Sequence, residues 1–522
     1  VNPEFALHHL LRNAAEREPR KIAIVDGRIE HSYLELATRA DALCEALVQE
    51  KVRKGDRVGI YMEKSWEAVV TMLAASQAGA AFVNINPLLK PRQVAHIMRD
   101  SDIQVMVGDA NKLAALEPTV LRAVVYRGAE PPLTGLGCPL LDIEEVLSQG
   151  GGRRFGASVV ETDLATIIYT SGSTGLPKGV AISQHNLVVG AQIVSTYLEN
   201  TQADRILAVL PFSFDYGLSQ LTTALRVGAA LVLQRSSLPG DLLRSLRKHR
   251  ITGLAGVPTL WPLLIQSRTA LQREPLTCLR YITNSGGRVP QAHLQELRRC
   301  LPFTKIYLMY GLTEAFRSTY LPPEELDRGP DCIGKAIPDT EIFVLNESGQ
   351  ECAPGEVGEL VHRGPTVALG YWGAEEETRK VFRPSPLSLP ALNSGDTVVY
   401  SGDLVKRDED GYLYFVGRRD ELIKTQGYRV SPAEVEDLVA STGIVREACA
   451  FGVPDPNMGQ RVVAVVSLRK GQKGSVEDIR ALCLQNAPSY LVPSALVIQG
   501  ELPKTPSGKI DRQAIRDAFS TR

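Results

Sequence analysis

Residues 167–183 read IIYTSGSTGLPKGVAIS. An apolar run suited to a strand leads into a loop with hydroxyl residues at 170, 171, 173 and 174, three glycines and Lys178. Glycines let backbone N–H groups turn toward an anion, hydroxyls add donors, and the lysine adds a point charge. A polyphosphate requires these provisions. The loop departs from the Walker pattern, because Leu-Pro separates Gly175 from Lys178 and Gly179, not Ser or Thr, follows the lysine. A standard phosphoryl-transfer NTPase therefore fits poorly.

Around that loop, helices and short apolar strands alternate. Ser32 to Glu50 carries a helical stripe of Leu34, Leu36, Ala40, Leu43, Leu47 and Val48, followed by the strand-like VGIYM. Trp66 to Gln77 reads as a helix, AFVNIN as a strand, Gln93 to Arg99 as a helix and QVMVG as a strand. The rhythm returns between 205 and 310 in RILAVL, AALVLQ, LRYITN and KIYLMYG. Such spacing implies parallel strands with helical crossovers. After about Gly334 the strand runs EIFVL, GELVHR, VVYSGDLVKR and GYLYFVG are broken by Gly and Pro, which suits an antiparallel unit. A smaller α/β unit begins near 421, with helices at Pro432 to Ala440 and Val476 to Gln485. The expected fold class is α/β. A large N-terminal domain over 1–417 combines layered α/β subdomains with an antiparallel β subdomain. A hinge at 418–420 then leads to a small, mobile C-terminal α+β domain over 421–522.

Composition narrows the function classes. The 522 residues exceed what one domain of ~150 residues needs. Hydrophobic residues at 44% and charged residues at 22% are a globular balance, not that of a disordered chain. Lys and Arg number 58 against 59 Asp and Glu, a net charge of −1, which argues against a broad nucleic-acid-binding face. No apolar run approaches the ~18 residues of a membrane span, and the N-terminal stretch lacks signal-peptide features. A soluble, cytoplasmic protein is expected. The eight cysteines are scattered without a C-x-x-C pair and read as free thiols. The eight histidines are also dispersed, so any metal should be Mg²⁺ arriving with a phosphate substrate.

The stretch YTSGSTGLPKG resembles the phosphate-loop signature of the AMP-forming adenylating superfamily, which comprises acyl- and aryl-CoA synthetases, adenylation domains of peptide synthetases, and luciferases. Three further motifs resemble it in the same order: YGLTEA (310–315), YSGDLVKRDEDGYLYFVGRRDELIKTQGYRVSPAEVE (400–436) and PKTPSGKIDR (503–512). The resemblance implies that Thr170, Ser171, Gly172, Ser173, Thr174, Gly175 and Lys178 cradle the β- and γ-phosphates of ATP. It implies that Glu314, after Thr313, holds Mg²⁺ and that Asp403 binds the ribose hydroxyls. Tyr310 and Gly311, with Asn284, Ser285, Gly286 and Gly287, would line the adenine slot, and Arg418 would also contact the nucleotide. Lys509 would bind the α-phosphate and the attacking carboxylate, making Lys509, Glu314 and Thr174 the catalytic set. The C-terminal domain would rotate about Asp420 and open a thiol channel past Gly427.

The acid is addressed by LPFSFDYGLSQL, residues 210–221. Many CoA synthetases of the superfamily have histidine where Phe214 stands, whereas peptide-synthetase domains carry F-D-x-S. This chain keeps the aspartate, Asp215, and loses the serine. A carboxylate in an apolar pocket needs a cationic partner, which a substrate amino group would supply. The opposing reading turns Asp215 outward to pair with an arginine. Phe214, Gly286, Leu312 and Phe316 complete the expected pocket. By analogy with ligases that load β-amino acids, the expected substrate is an α- or β-amino acid. It would be delivered to the phosphopantetheine of an acyl or peptidyl carrier protein, and the absence of an appended domain suggests a free-standing activator. The alternative is an acyl- or aryl-CoA synthetase. A non-catalytic nucleotide-binding protein is disfavoured because Lys178, Glu314, Asp403 and Lys509 are all present. Gln184 stands where the superfamily often has histidine, and His185 follows it.

Overall fold

The computed structural model describes residues 4–89, 91–116, 120–132, 137–149, 157–170, 177–387, 396–419, 421, 423–425, 428–455, 459–472, 474–487, 489–505 and 508–520. Three sheets organise them. In the eight-stranded sheet, Arg57–Tyr61 pairs in parallel with both Ala81–Asn84 and Ile103–Asp109. The helices Trp66–Gln77 and Pro91–Asp100 make the crossovers that the spacing predicts. Trp66–Gln77 is buried on nearly all sides, as its almost uncharged sequence requires. One apolar core joins this sheet to the larger one through Tyr33–Gln49, Trp66–Gln77, Gln184–Tyr197 and Asp215–Val227.

The larger sheet has 14 strands. Ile22–Asp26, Ala230–Leu233, Arg205–Ala208, Gly253–Gly256, Tyr281–Asn284 and Lys305–Tyr310 run parallel, in that spatial order. Beyond Lys305–Tyr310 the pairing turns antiparallel through Thr319–Leu321, Cys332–Ala336, Leu413–Arg418, Thr397–Arg407, Val357–Arg363 and Glu341–Leu345. The expected antiparallel unit is therefore hydrogen-bonded directly onto the parallel strands. Thr319–Leu321 and Cys332–Ala336 are short, and Gly334 sits at φ +84° where a Cβ would lie 1.8 Å from the Tyr320 carbonyl. That glycine reads as a break in sequence but serves a close backbone approach.

The third sheet belongs to the C-terminal domain. Val445–Asp455 and Gly459–Leu468 form a long antiparallel pair, flanked by Ala495–Ile498 and the hairpin Ile423–Thr425/Tyr428–Val430. Val435, Val439, Ile479 and Cys483 from its helices pack on its own core. Arg288 of the large domain joins the two, pairing with Asp331 on its own side and Asp437 across the boundary. All eight cysteines are free thiols, as expected. Among the described residues no helix is long and apolar enough to cross a membrane.

Candidate active site

Thr170 ends the strand Leu164–Thr170 and stands opposite Lys178, which opens the antiparallel strand Lys178–Ser183. The other expected phosphate-loop residues, Ser171, Gly172, Ser173, Thr174 and Gly175, lie outside the described residues. On its far edge Lys178–Ser183 pairs with Gly370–Tyr371. That pairing sets the Tyr371 ring 5.8 Å from Lys178 Nζ, and the Tyr371 hydroxyl donates to Glu314 Oε1 at 2.6 Å. Burial and the nearby Glu314 push the Tyr371 phenol far above its ordinary range, so it remains a donor. Sequence reasoning missed Tyr371, since a Gly-Tyr-Trp turn carries no chemical signature. Glu314 lies on the single-turn helix Thr313–Ala315. Among the described residues no three His, Cys, Asp or Glu gather as a metal cage. One carboxylate suits Mg²⁺ that takes its other ligands from phosphate oxygens and water.

The parallel strands Gly253–Gly256, Tyr281–Asn284 and Lys305–Tyr310 end side by side, and their carboxyl ends open a crevice. Asn284 holds the turn after its strand. Its Oδ1 accepts from Trp261 Nε1 at 2.7 Å, and its Nδ2 donates to the Gly287 carbonyl at 2.9 Å. Ser285 is buried in that turn, and Gly286 takes φ +77°. Gly311 leaves Lys305–Tyr310 where a Cβ would sit 2.9 Å from the Arg317 backbone. The Tyr310 hydroxyl donates to Asp403 Oδ2 at 2.5 Å, and Arg418 Nε lies 3.0 Å from Asp403 Oδ1. Sheet register accounts for the second contact, because Asp403 and Arg418 are direct cross-strand partners. The structure thus brings together Tyr310, Asp403 and Arg418.

Lys509 reaches this crevice from the C-terminal domain. Its tight turn is closed by Thr505 N donating to the Lys509 carbonyl at 2.7 Å and Lys509 N donating to Thr505 Oγ1 at 3.2 Å. Gly508, at φ +84°, permits the bend. The ammonium stands 5.6 Å from the Phe214 ring centroid and beside Gly286. Burial lowers the Lys509 pKa, partly offset by Asp215 and Asp403. The structure thus brings Lys509, Phe214 and Gly286 together, with Gly286 bordering the lysine.

Asp215 is the first residue of the helix Asp215–Val227 and is 4% exposed. It points inward, against the outward reading. It is also already faced by a cation, since Arg317 Nη1 lies 4.0 Å from its Oδ2. Arg317 is itself 2% exposed, with its guanidinium over the Tyr216 ring at 4.6 Å. The carboxylate expected to meet a substrate ammonium thus has a cation of the chain near one of its oxygens. Burial pushes the Asp215 carboxyl up, while Arg317 and Lys509 pull it down. Behind this pair lies a small cavity of about 20 Å³, lined by Tyr216, Ser219, Thr283, Met309 and Arg317 among others. Neither Leu312 nor Phe316 lines it. Leu312 packs on the main core, and Phe316 is buried at φ +58° against Gly190. Gln184 is turned away to accept from Leu7 N at 2.9 Å and Ser76 Oγ at 3.3 Å, while His185 pairs with Glu161. Asp420 and Gly427 lie outside the described residues.

Comparison with known proteins gives a consistent picture. A family model described as AMP-binding enzyme matches residues 11–372, and another described as AMP-binding enzyme C-terminal domain matches 434–509. Bacitracin synthase 3 of Bacillus licheniformis is 30% identical over 517 residues, covering 99% of this chain and 8% of the synthase. The chain spans a tenth or less of the length of that protein and of three further synthases and synthetases it matches. A long-chain-fatty-acid–CoA ligase of Salmonella typhimurium is 28% identical, with 99% of this chain and 95% of the ligase covered. Among solved structures, an anthranilate CoA ligase in complex with anthranoyl-AMP superposes with a TM-score of 0.88 at 25% identity. That alignment covers 99% of this chain and 98% of the ligase.

Proposed function

Because the chain belongs to the AMP-binding enzyme family, we propose that it activates a carboxylic acid with ATP and then passes the acyl group to a thiol. In the first step a carboxylate oxygen attacks the α-phosphorus, the bond to the β-phosphate oxygen breaks, and pyrophosphate leaves. The observation that carries this reading is the reach of Lys509 from the C-terminal domain to Gly286 and Phe214, within electrostatic range of Asp403. A cation there would meet the carboxylate and the charge that develops on the α-phosphate, stabilisation worth several kcal/mol in a water-poor site. Tyr310, Asp403 and Arg418 would orient the nucleoside; Thr170 and Lys178 would hold the terminal phosphates. Glu314, steadied by Tyr371, would hold Mg²⁺, which supplies charge neutralisation on the departing pyrophosphate.

In the second step a thiolate attacks the acyl carbon and AMP departs. The acceptor is a phosphopantetheine thiol, borne by a carrier protein or by coenzyme A; the CoA ligases among the relatives support the latter and the synthases the former. The C-terminal domain would turn about Asp420 to bring the channel past Gly427 into place, with 1–417 and 421–522 as the two bodies. An amino acid, its ammonium facing Asp215 beside Arg317, is one candidate substrate, and an acyl or aryl acid is the other. Acid-dependent pyrophosphate release from ATP and Mg²⁺, without thiol, tests the reading across α-amino, β-amino, straight-chain and aryl acids. Release with one class, lost in Lys509→Ala, is expected; no release with any acid would refute it.

A further inference from the structure

The turn 285–288 of the large domain receives the C-terminal domain at two points. Gly286 borders the Lys509 side chain, and two residues further on Arg288 pairs with Asp437 across the boundary. Asn284 Nδ2 stiffens this turn by donating to the Gly287 carbonyl at 2.9 Å. Arg288 is also held on its own side, where its Nε lies 2.5 Å from Asp331 Oδ1 and its Nη2 donates to Asp331 Oδ2 at 3.2 Å. A guanidinium is always charged, and its planar fork can serve two carboxylates at once. Asp331 therefore keeps Nη1 aimed at the boundary. It also leaves Arg288 paired when the C-terminal domain departs, so undocking strands no lone cation.

Across the boundary, the helix Pro432–Ser441 carries the contact toward Lys509. Asp437 faces Arg288, while its neighbour Glu436 accepts from Arg512 Nη2 at 2.7 Å and from Ala450 N at 2.8 Å. Arg512 stands three residues after Lys509, opens the helix Arg512–Ser520, and donates from Nη1 to the Ala450 carbonyl at 3.2 Å. Two consecutive carboxylates of one helix thus grip the large domain and the segment that presents the lysine. The lysine turn itself seats closely, since a Cβ at Gly508 would lie 3.2 Å from Thr259 Oγ1.

We propose that Arg288 is a positioning residue: through Asp437 and the Glu436–Arg512 pair it holds the C-terminal domain in the orientation that puts Lys509 in the crevice. The contact serves the first half-reaction alone, because the thiol step follows a turn of that domain. This inference rests on the adenylation reading, and its test separates the two. The full chain, with nothing bound, is labelled with trinitrobenzenesulfonate, and mass spectrometry compares Lys509 with the exposed Lys305. Asp437→Asn should speed labelling of Lys509 roughly threefold to fivefold, the upper range for an ion pair whose side chains are 23% and 43% exposed. In an Arg288→Met background the same change should add almost nothing, and Asp437→Glu should stay near the parent. With an acid that supports pyrophosphate release, Asp437→Asn should slow release by the same factor. Transfer of that acyl group from its prepared adenylate to pantetheine should not slow. Unchanged labelling, or both half-reactions slowed together, overturns the positioning role. No pyrophosphate release with any acid overturns the adenylation reading, and the labelling then still decides whether Arg288 holds the domain.

Discussion

Gly286→Ala gives a direct test of how Lys509 is positioned. A Cβ at 286 would stand 3.0 Å from Lys509 Cε, 3.4 Å from its Nζ and 3.6 Å from Val257 Cγ1. Carbon atoms in ordinary contact keep about 3.5–4.0 Å, so the lysine must retreat by roughly 0.5–1 Å. Displacement on that scale costs about 100-fold in rate when the group acts on the reacting atoms. The backbone adds a separate cost, because φ +77° in an alanine is worth about 1–2 kcal/mol of stability. ATP–pyrophosphate exchange reads the first effect, and the unfolding midpoint reads the second. ATP affinity should change by less than about threefold, since the new methyl group faces the lysine. In a Lys509→Ala background Gly286→Ala should add almost nothing to the rate loss, because the two changes act on one interaction. Exchange within about twofold of the parent, or a full additional loss on top of Lys509→Ala, would refute the argument.

Other consequences are equally open to measurement. Lys509→Ala should cut pyrophosphate release by at least about 100-fold while ATP still binds, the range seen when one oxyanion-stabilising group is lost. The protonated form of Lys509 is the active one and its pKa is lowered by burial. Rate should therefore fall as pH rises through a value below that of an ordinary lysine, and Lys509→Arg should abolish that alkaline limb. Asp403→Asn removes the charged acceptor of Tyr310 and the partner of Arg418; ATP should bind roughly tenfold more weakly or worse by calorimetry. His8 and His362 are buried and their pKa values pushed down to about 3. The folded state keeps them neutral while the unfolded chain takes up protons below about 6.5, so stability is present above that pH and is lost as pH falls toward 3. At pH 5 each accounts for about 2 kcal/mol. Urea midpoints at pH 7 and pH 5 should differ accordingly, and His362→Gln should remove its own share of about 2 kcal/mol from the difference.

The parts legible in sequence were those where chemistry and spacing coincide locally. The crossovers of the eight-stranded sheet follow from period alone, whereas Lys509, Glu314, Asp403 and Tyr310 stand out only through the resemblance of their motifs to the adenylating superfamily. Asp215 was legible as a pocket carboxylate but not its partner, since Arg317 is distant in the chain and a lone arginine after a phenylalanine reads as solvated surface. Tyr371 was equally silent, because its role arises only when Gly370–Tyr371 adds to the edge of Lys178–Ser183. Leu312 and Phe316 are expected in the pocket; the structure packs Leu312 on the main core and sets the Phe316 ring, at positive φ, against Gly190, a placement no local pattern reveals. Gly334 and the short strands about it looked like a boundary for the same reason: sequence does not reveal which breaks bring two backbones together.

A ladder unbroken from Glu341–Leu345 to Ile29–Ser32 also dictates where this protein can be cut and recombined. A fragment ending after Ala336 would leave Cys332–Ala336 with a bare edge where Leu413–Arg418 normally sits, an invitation to pair with another copy. Tyr310 would be parted from Asp403 by the same cut, so half a nucleotide site would remain on each piece. A junction just after Arg418 severs no rung of the 14 strands, and the ion pairs that straddle it among the described residues are Arg288–Asp437 and Arg419–Glu359. Chimaeras that exchange the C-terminal domain at that point, keeping those four residues, should inherit a complete acid pocket from one parent and the reach of the lysine from the other.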